Sequence, residues 1–402
     1  MAITATLIFL VQGLSLFRIY PSSPVCGRVI NILGSLNVLI NCDSAVFMKD
    51  AQNPMRMFDG LSVYQDRPAH SALVWLSGTL LKFIGFPNQS QEIVGTSGQS
   101  TTYESIFYLT YVAVNFIIVF VAAMLAIKFV FEKFTFVSLA RTKTLFIIVL
   151  LIVSANELTK TFFWTPHSQM FNILLPTMGL ILLKNRKNPR STEQFVLLST
   201  LTLVMMFFYP LFGLLFIILL FTQYENFAKR LILVCTFIMI YLLYPRVLEF
   251  FGGYHQSFVV EEYRQYVWLL DSIREKNFIE NLVVNLELFA ATFPLIPTAL
   301  LIASATLFTF ILRNLDVQIR KKTISDLMPY LLFFAIYIGS LSMMGYYSRR
   351  LTLGPYIFME LVFVKFVTPI LAERFRSSKR ITQTLLLSLL IGSWVLTNGP
   401  LS

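Results

Sequence analysis

The chain has 402 residues, 56% of them hydrophobic and only 13% charged, where soluble globular domains carry about 25% charged residues. Repeated apolar runs near the roughly 20 residues needed to cross a bilayer exclude a soluble enzyme and point to a polytopic membrane protein. A net charge of +11 would suggest a nucleic-acid partner in a soluble chain, but here the basic residues fall in short loops between apolar runs and act as topology signals, so no nucleic-acid partner is expected.

In chain order, "ITATLIFLVQGLSLF" has no basic residue before it and no small-residue cleavage site after it, so it is expected to be a retained first membrane helix rather than a signal peptide. Further apolar runs lie at Ile106–Ile127, Leu145–Ala155, Met170–Leu183, Phe195–Phe221, Leu231–Tyr244, Leu282–Leu312, Met328–Met344, Tyr356–Leu371 and Leu385–Leu396. Together they predict an all-α transmembrane bundle of about ten or eleven crossings, a single integral-membrane domain over 1–402. Phe195–Phe221 should break at Tyr209-Pro210, since proline interrupts a long helix.

Between the runs stand Lys128, Lys133, Arg141 and Lys143, then "KNRKNPR", Lys229 with Arg230, "RNLDVQIRKK" and "ERFRSSKR". The positive-inside rule puts these five segments on the cytoplasmic side. The remaining loops, and with them all three histidines, His70, His167 and His255, then fall on the extracytoplasmic face.

The first external loop, 19–105, is too long for an idle turn. "DSAVFMKDA" reads as a short helix, and Ala72–Phe86 as an amphipathic interfacial helix whose start at Pro68 suits proline in a first helical turn. A first membrane helix, an external loop with an early acid ("DSAVF"), a basic-Pro motif leading an interfacial helix ("DRPAHSALVWLSGTLLKFIGF"), then a second membrane helix: over Asn41–Ile127 this resembles the GT-C superfamily of integral-membrane glycosyltransferases, which use polyprenyl-phosphate sugars.

The resemblance implies an inverting sugar transfer at the extracytoplasmic face, from a polyprenyl-phosphate donor to a glycan or lipid acceptor, with the acid after the first helix, Asp43, as base. The chemistry is coherent: an acceptor hydroxyl needs a carboxylate to take its proton, and the departing phosphate needs charge stabilisation. Ser44 stands where the family often carries a second acid, and Arg67-Pro68 replaces Lys-Pro, so Asp43, Asp50 and Asp66 all remain candidates for the base.

Residue by residue, the readings compete. Asp43 is general base or helix N-cap. Asp66 and His70 share a helical face and bind an acceptor hydroxyl, or with further ligands a divalent metal; the alternative is a cap and a histidine at the water boundary. No other cofactor is implied. Arg67, Arg349 and Arg350 lie outside, against the charge bias, and a forked guanidinium suits phosphate; snorkelling anchors are the alternative. Glu157, Lys160 and His167 reach the same surface beside Trp164, where polar groups usually face a cavity. Tyr254–Asn277 reads as an external amphipathic helix, lid or solvated face.

Asn88-Gln89-Ser90 fits a glycosylation sequon. Cys26, Cys42 and Cys235 have neither disulfide nor zinc spacing, and no phosphate loop or Ser-His-Asp pattern occurs. The rival readings are a transporter or flippase of a lipid-linked or polar substrate, which places ionisable groups mid-helix, and a surface-polysaccharide polymerase or ligase. Glu287, Glu360 and Lys365 are the few charges within apolar runs. The lack of a long hydrophilic domain favours a bacterial plasma membrane.

Overall fold

The structure, a computed structural model, describes residues 1–16, 28–32, 36–40, 42–58, 62, 67–94, 100–131, 139–188, 191–221, 227–250, 267–293, 298–299, 301–302, 305–306, 309, 312–313, 316–345, 347 and 349–374. Among them are fourteen α-helices and two small hairpins. Three helices, Ser105–Phe131, Phe227–Phe250 and Val317–Ser342, are long and apolar enough to cross a membrane. Four shorter apolar helices occupy Ala2–Gly13, Leu145–Ser154, Thr192–Phe208 and Pro210–Leu220.

The first helix, α1 (Ala2–Leu16), is followed by the hairpin β1 (Arg28–Ile32) and β2 (Leu36–Ile40), paired antiparallel with Asn31 opposite Asn37. After α2 (Cys42–Gln52) and α3 (Pro68–Phe83) comes a second hairpin, β3 (Ser90–Val94) with β4 (Ser100–Glu104), which runs straight into α4 (Ser105–Phe131). The expected helices of the first loop are present. The hairpins are additions to the expected picture, and Asp43 lies inside the first turn of α2 rather than ahead of it.

α3 has Pro68 at its start and Arg67 in the N-cap position; Asp66, a candidate for its cap, lies outside the described residues. It ends on Gly85, whose φ of 80° lets the N–H of Phe86 reach the carbonyl of Leu81 and that of Gly85 reach Lys82, both at 3.0 Å. This left-handed closure satisfies the last carbonyls and stops the helix. One face of α3 buries His70, Ser71, Val74 and Gly78, while Leu76, Leu80 and Phe83 stand 60%, 60% and 87% exposed. Such an apolar stripe suits lipid rather than water.

The centre of the bundle is α4, packed by α1, α3, α5 (Leu139–Ser154) and α7 (Phe171–Lys184). α6 (Glu157–Phe162) and a 3₁₀ turn over Ser168–Met170 lie between α5 and α7. The long run expected to break at Tyr209-Pro210 does so: α8 (Thr192–Phe208) stops, Tyr209 turns extended, and a 3₁₀ turn leads into α9 (Leu214–Leu220).

Next come α10 (Phe227–Phe250), α11 (Val267–Arg274), α12 (Phe278–Ala291), α13 (Val317–Ser342) and α14 (Arg349–Arg374). α13 begins well before its apolar run, since a charged stretch such as Arg320–Lys322 can extend a helix beyond its apolar part, and α14 begins at Arg349, seven residues before its own run. At one end of the bundle Lys184 Nζ donates to the carbonyl of Lys128 at 3.4 Å and Lys187 stands 3.8 Å from Asp326. At the other end α4 meets α2, α3 and the Ser168–Met170 turn.

Asn88 is tied into that second end. Its Nδ2 donates to Glu104 Oε2 at 2.6 Å, which also accepts from Lys82 Nζ at 2.7 Å, and its Oδ1 accepts the N–H of Ile106 at 3.2 Å. A glycan on Nδ2 would replace one of its two hydrogens and crowd the junction with Glu104 and Lys82. The protein is therefore expected to carry no glycan at Asn88, as an intact-mass measurement would read, and Asn88→Ala to cost about 1 kcal/mol through the lost cap on α4.

Candidate functional site

The loop residues named from sequence converge where α2, α3, α4 and the 162–171 segment meet. α3 places Arg67 and His70 one turn apart. The guanidinium of Arg67 does not cap its own helix; Nη1 donates instead to Ser168 Oγ at 3.1 Å, 101 residues away. That bond joins the 19–105 segment to the turn that carries His167.

His70 is fully buried. Its ring lies edge-on to Tyr111 at 5.0 Å, Phe171 at 5.3 Å and Phe47 at 5.8 Å. Neither ring nitrogen has a hydrogen-bond partner among the described residues, so the expectation of a histidine resting at the water boundary does not hold. Burial first, then repulsion by any charge on His167 and by that of Arg67, holds its pKa down to about 3. The ring is a neutral imidazole, one nitrogen a donor and the other an acceptor.

His167 is 2% exposed and packs between Phe47 at 5.1 Å and Phe162 at 5.0 Å. Its Nδ1 accepts the N–H of Gln169 at 3.1 Å, which fixes that nitrogen as the unprotonated one in the neutral ring. Gln169 Oε1 in turn accepts from Tyr209 OH at 3.3 Å. Phe162 also meets a cation: the guanidinium carbon of Arg350, in the first turn of α14, is 5.9 Å from the ring centroid. Cation–π contact of this kind helps to hold an arginine in place.

α6 owes its start to Asn156, whose side chain accepts the N–H of Thr159 at 2.9 Å. Glu157 is half-buried in its first turn and Lys160 is buried one turn on. Asn115 of α4 holds the end of this helix by donating to the carbonyls of Phe162, Phe163 and Thr165 at 3.0, 3.1 and 3.1 Å. Trp164 gives its ring N–H to the carbonyl of Gln12 at 3.0 Å. It is thereby a joint to α1.

Asp50 is also buried, on the face of α2 towards Tyr111. Its carboxylate meets Arg56 Nε at 3.3 Å and accepts from Ser62 Oγ. Burial raises its pKa above the ordinary 3.8 and outweighs the opposing pull of Ser62 and Arg56. Both its oxygens are engaged within the first loop, which makes it a tether for the 53–62 segment and a poor base for an incoming hydroxyl.

Of the residues named from sequence, Arg67, His70, His167 and Arg350 share one connected cluster, and Glu157 stands on the helix that supplies Phe162 to it. The backbones of Asp43 and Arg349 are helical; their side chains, the whole of Asp66, and residues 254–266 of the expected external helix lie outside the described residues. Its end, α11, is docked by Trp268, which donates to the carbonyl of Met343 at 3.0 Å. Among the described residues no three His, Cys, Asp or Glu side chains gather as a metal site.

Sequence reasoning missed Ser168, Gln169 and Tyr209 as parts of the cluster; an uncharged "HSQ" within an apolar run was the available signal. The cluster is buried, aromatic-walled and flanked by two guanidinium groups, an arrangement able to hold an anion while an uncharged imidazole meets a hydroxyl. Compared with family models, with curated proteins and with solved structures, the chain finds no match in any of the three.

Proposed function

We propose that the protein is a multi-pass membrane glycosyltransferase that moves a sugar from a polyprenyl-phosphate donor to a glycan or lipid acceptor, with inversion. In this reading the bundle makes about ten or eleven crossings of a bacterial plasma membrane. The end holding Lys128 and Lys184 faces the cytoplasm and the histidine end faces outward. Tyr111, which touches His70, and Lys128 are about 25 Å apart along α4 at roughly 1.5 Å per residue, a separation close to a hydrocarbon core.

The observation that carries the proposal is that guanidinium groups from distant parts of the chain, Arg67 and Arg350, both reach the short 162–168 segment beside two buried histidines. Two such groups suit the phosphate on which negative charge develops as the sugar leaves. In the step, the acceptor oxygen bonds to the anomeric carbon, the bond from that carbon to the phosphate oxygen breaks, and the acceptor proton passes to a carboxylate. Asp43 is the proposed base and Asp66 the second candidate; Arg349 stands beside Arg350 as a further phosphate ligand.

Reconstituted protein is assayed for transfer or hydrolysis with labelled polyprenyl-phosphate sugars. Asp43→Ala is expected to slow transfer by about 10²–10⁴-fold, the usual worth of a positioned base. Wild-type rates in both Asp43→Ala and Asp66→Ala would sink the base assignment. No turnover of any such donor, with substrate moved across liposomes, would make the protein a transporter or flippase.

A further inference from the structure

We infer that Asn172, a residue of the apolar run that opens α7, is a positioning residue for Arg350. Asn172 is fully buried, and its Nδ2 donates to the carbonyls of Arg350 at 2.8 Å and Leu351 at 3.3 Å. Within a helix the Leu351 carbonyl would take the N–H of residue 355, but that residue is Pro355 and has none. Asn172 supplies the missing donor from another helix.

Two further contacts make this a fitted joint. Tyr337 of α13 donates to Asn172 Oδ1 at 2.8 Å, which turns the amide so that its NH₂ end faces α14. Gly354 lets α14 come this close: a Cβ there would meet Asn172 Oδ1 at 2.6 Å and the Asn172 carbonyl at 3.0 Å. The first turn of α14 is thus pinned to α7 and α13, and Arg350 leaves that turn toward Phe162. The inference rests on the reading of Arg350 as a phosphate ligand, and what Asn172 controls is the direction of that guanidinium toward a lipid phosphate.

The test titrates dodecyl phosphate into the full-length protein in phosphatidylcholine nanodiscs. Arg350→Ala and Asn172→Ala are each expected to weaken binding by about 10-fold, the worth of one charge-assisted contact. The double variant should bind no more weakly than Arg350→Ala alone, since Asn172 acts through the arginine. Additive losses, or unchanged binding in Asn172→Ala, overturn the inference. Tyr337→Phe, which keeps the fold's volume, should show a smaller loss with the same lack of additivity, and serves if Asn172→Ala does not fold.

If Arg350→Ala binds as the wild type does, it is the phosphate reading that fails. Amide hydrogen exchange over 349–356 then decides the joint by itself: faster exchange in Asn172→Ala supports it, and unchanged exchange overturns it.

Discussion

Acidification from pH 6.5 toward pH 3 is expected to remove on the order of 5 kcal/mol of stability through His70 alone, at about 1.4 kcal/mol per pKa unit. In the unfolded chain the imidazole takes its proton near 6.5, whereas the buried ring holds out to about 3. The unfolded state therefore binds more protons in that window, and the contribution is complete above pH 6.5 and lost as pH falls through it. Asp50 works the other way: its raised pKa means the folded state binds the extra proton, so stability from that group declines as pH rises above 3.8.

Comparison with His70→Phe isolates the effect, because the titrations of other groups cancel in the difference. The variant keeps the ring contacts with Phe47, Tyr111 and Phe171 and has no titrating nitrogen. Its unfolding free energy should gain on the wild type by about 2 kcal/mol by pH 5 and by more toward pH 3. A constant difference across that range, measured by denaturant unfolding in detergent, would mean that His70 is reached by protons in the folded protein. His167 and Arg67 face the ring from the neighbouring segments, and charge on either adds to the depression that burial sets.

The parts of this architecture that announce themselves in the sequence are those fixed by local chemistry. Pro68 marks the start of α3, Tyr209-Pro210 the break between α8 and the 3₁₀ turn, and unbroken apolar length marks α4. The two hairpins did not, although "RVINI" and "LNVLI" flank a Gly-Ser pair; in so apolar a chain a period of two is hard to separate from a buried helix. Apolar runs understate the length of a helix where charged residues carry it further, as in α13.

The cluster was legible only as residue types. Arg67, His70, His167 and Arg350 stood out because charged and polar groups are rare here, yet nothing local to "DRPAH" says that its arginine reaches Ser168. Nor could composition separate Asp50 from Asp43; the distinction comes from Arg56 and Ser62, which close on Asp50 only once the loop is folded. Asn172 was invisible for the opposite reason: an uncharged amide in an apolar run carries its meaning in the proline and glycine of a helix far along the chain.

That same joint sets the second large effect. Gly354→Ala is expected to cost roughly 3–5 kcal/mol, combining overpacking of about 1–3 kcal/mol with hydrogen bonds worth about 1 kcal/mol each. The added methyl would collide with Tyr337 Oη and lie 2.6 Å from Asn172 Oδ1. Tyr337 and Asn172 are both fully buried, so neither side chain has open space to swing into. The Asn172 carbonyl, 3.0 Å away, belongs to the backbone of α7 and yields least. The methyl therefore pushes α14 off α7 and breaks the bonds to Arg350 and Leu351 together. Combining Gly354→Ala with Tyr337→Phe removes the nearest clash but leaves the two with Asn172, so the double variant should melt above Gly354→Ala yet below Tyr337→Phe. Thermal unfolding of the four proteins in one detergent reads the cycle. A Gly354→Ala protein that melts with the wild type would show that α14 does not approach α7 this closely, and Arg350 would then lose the support that aims it.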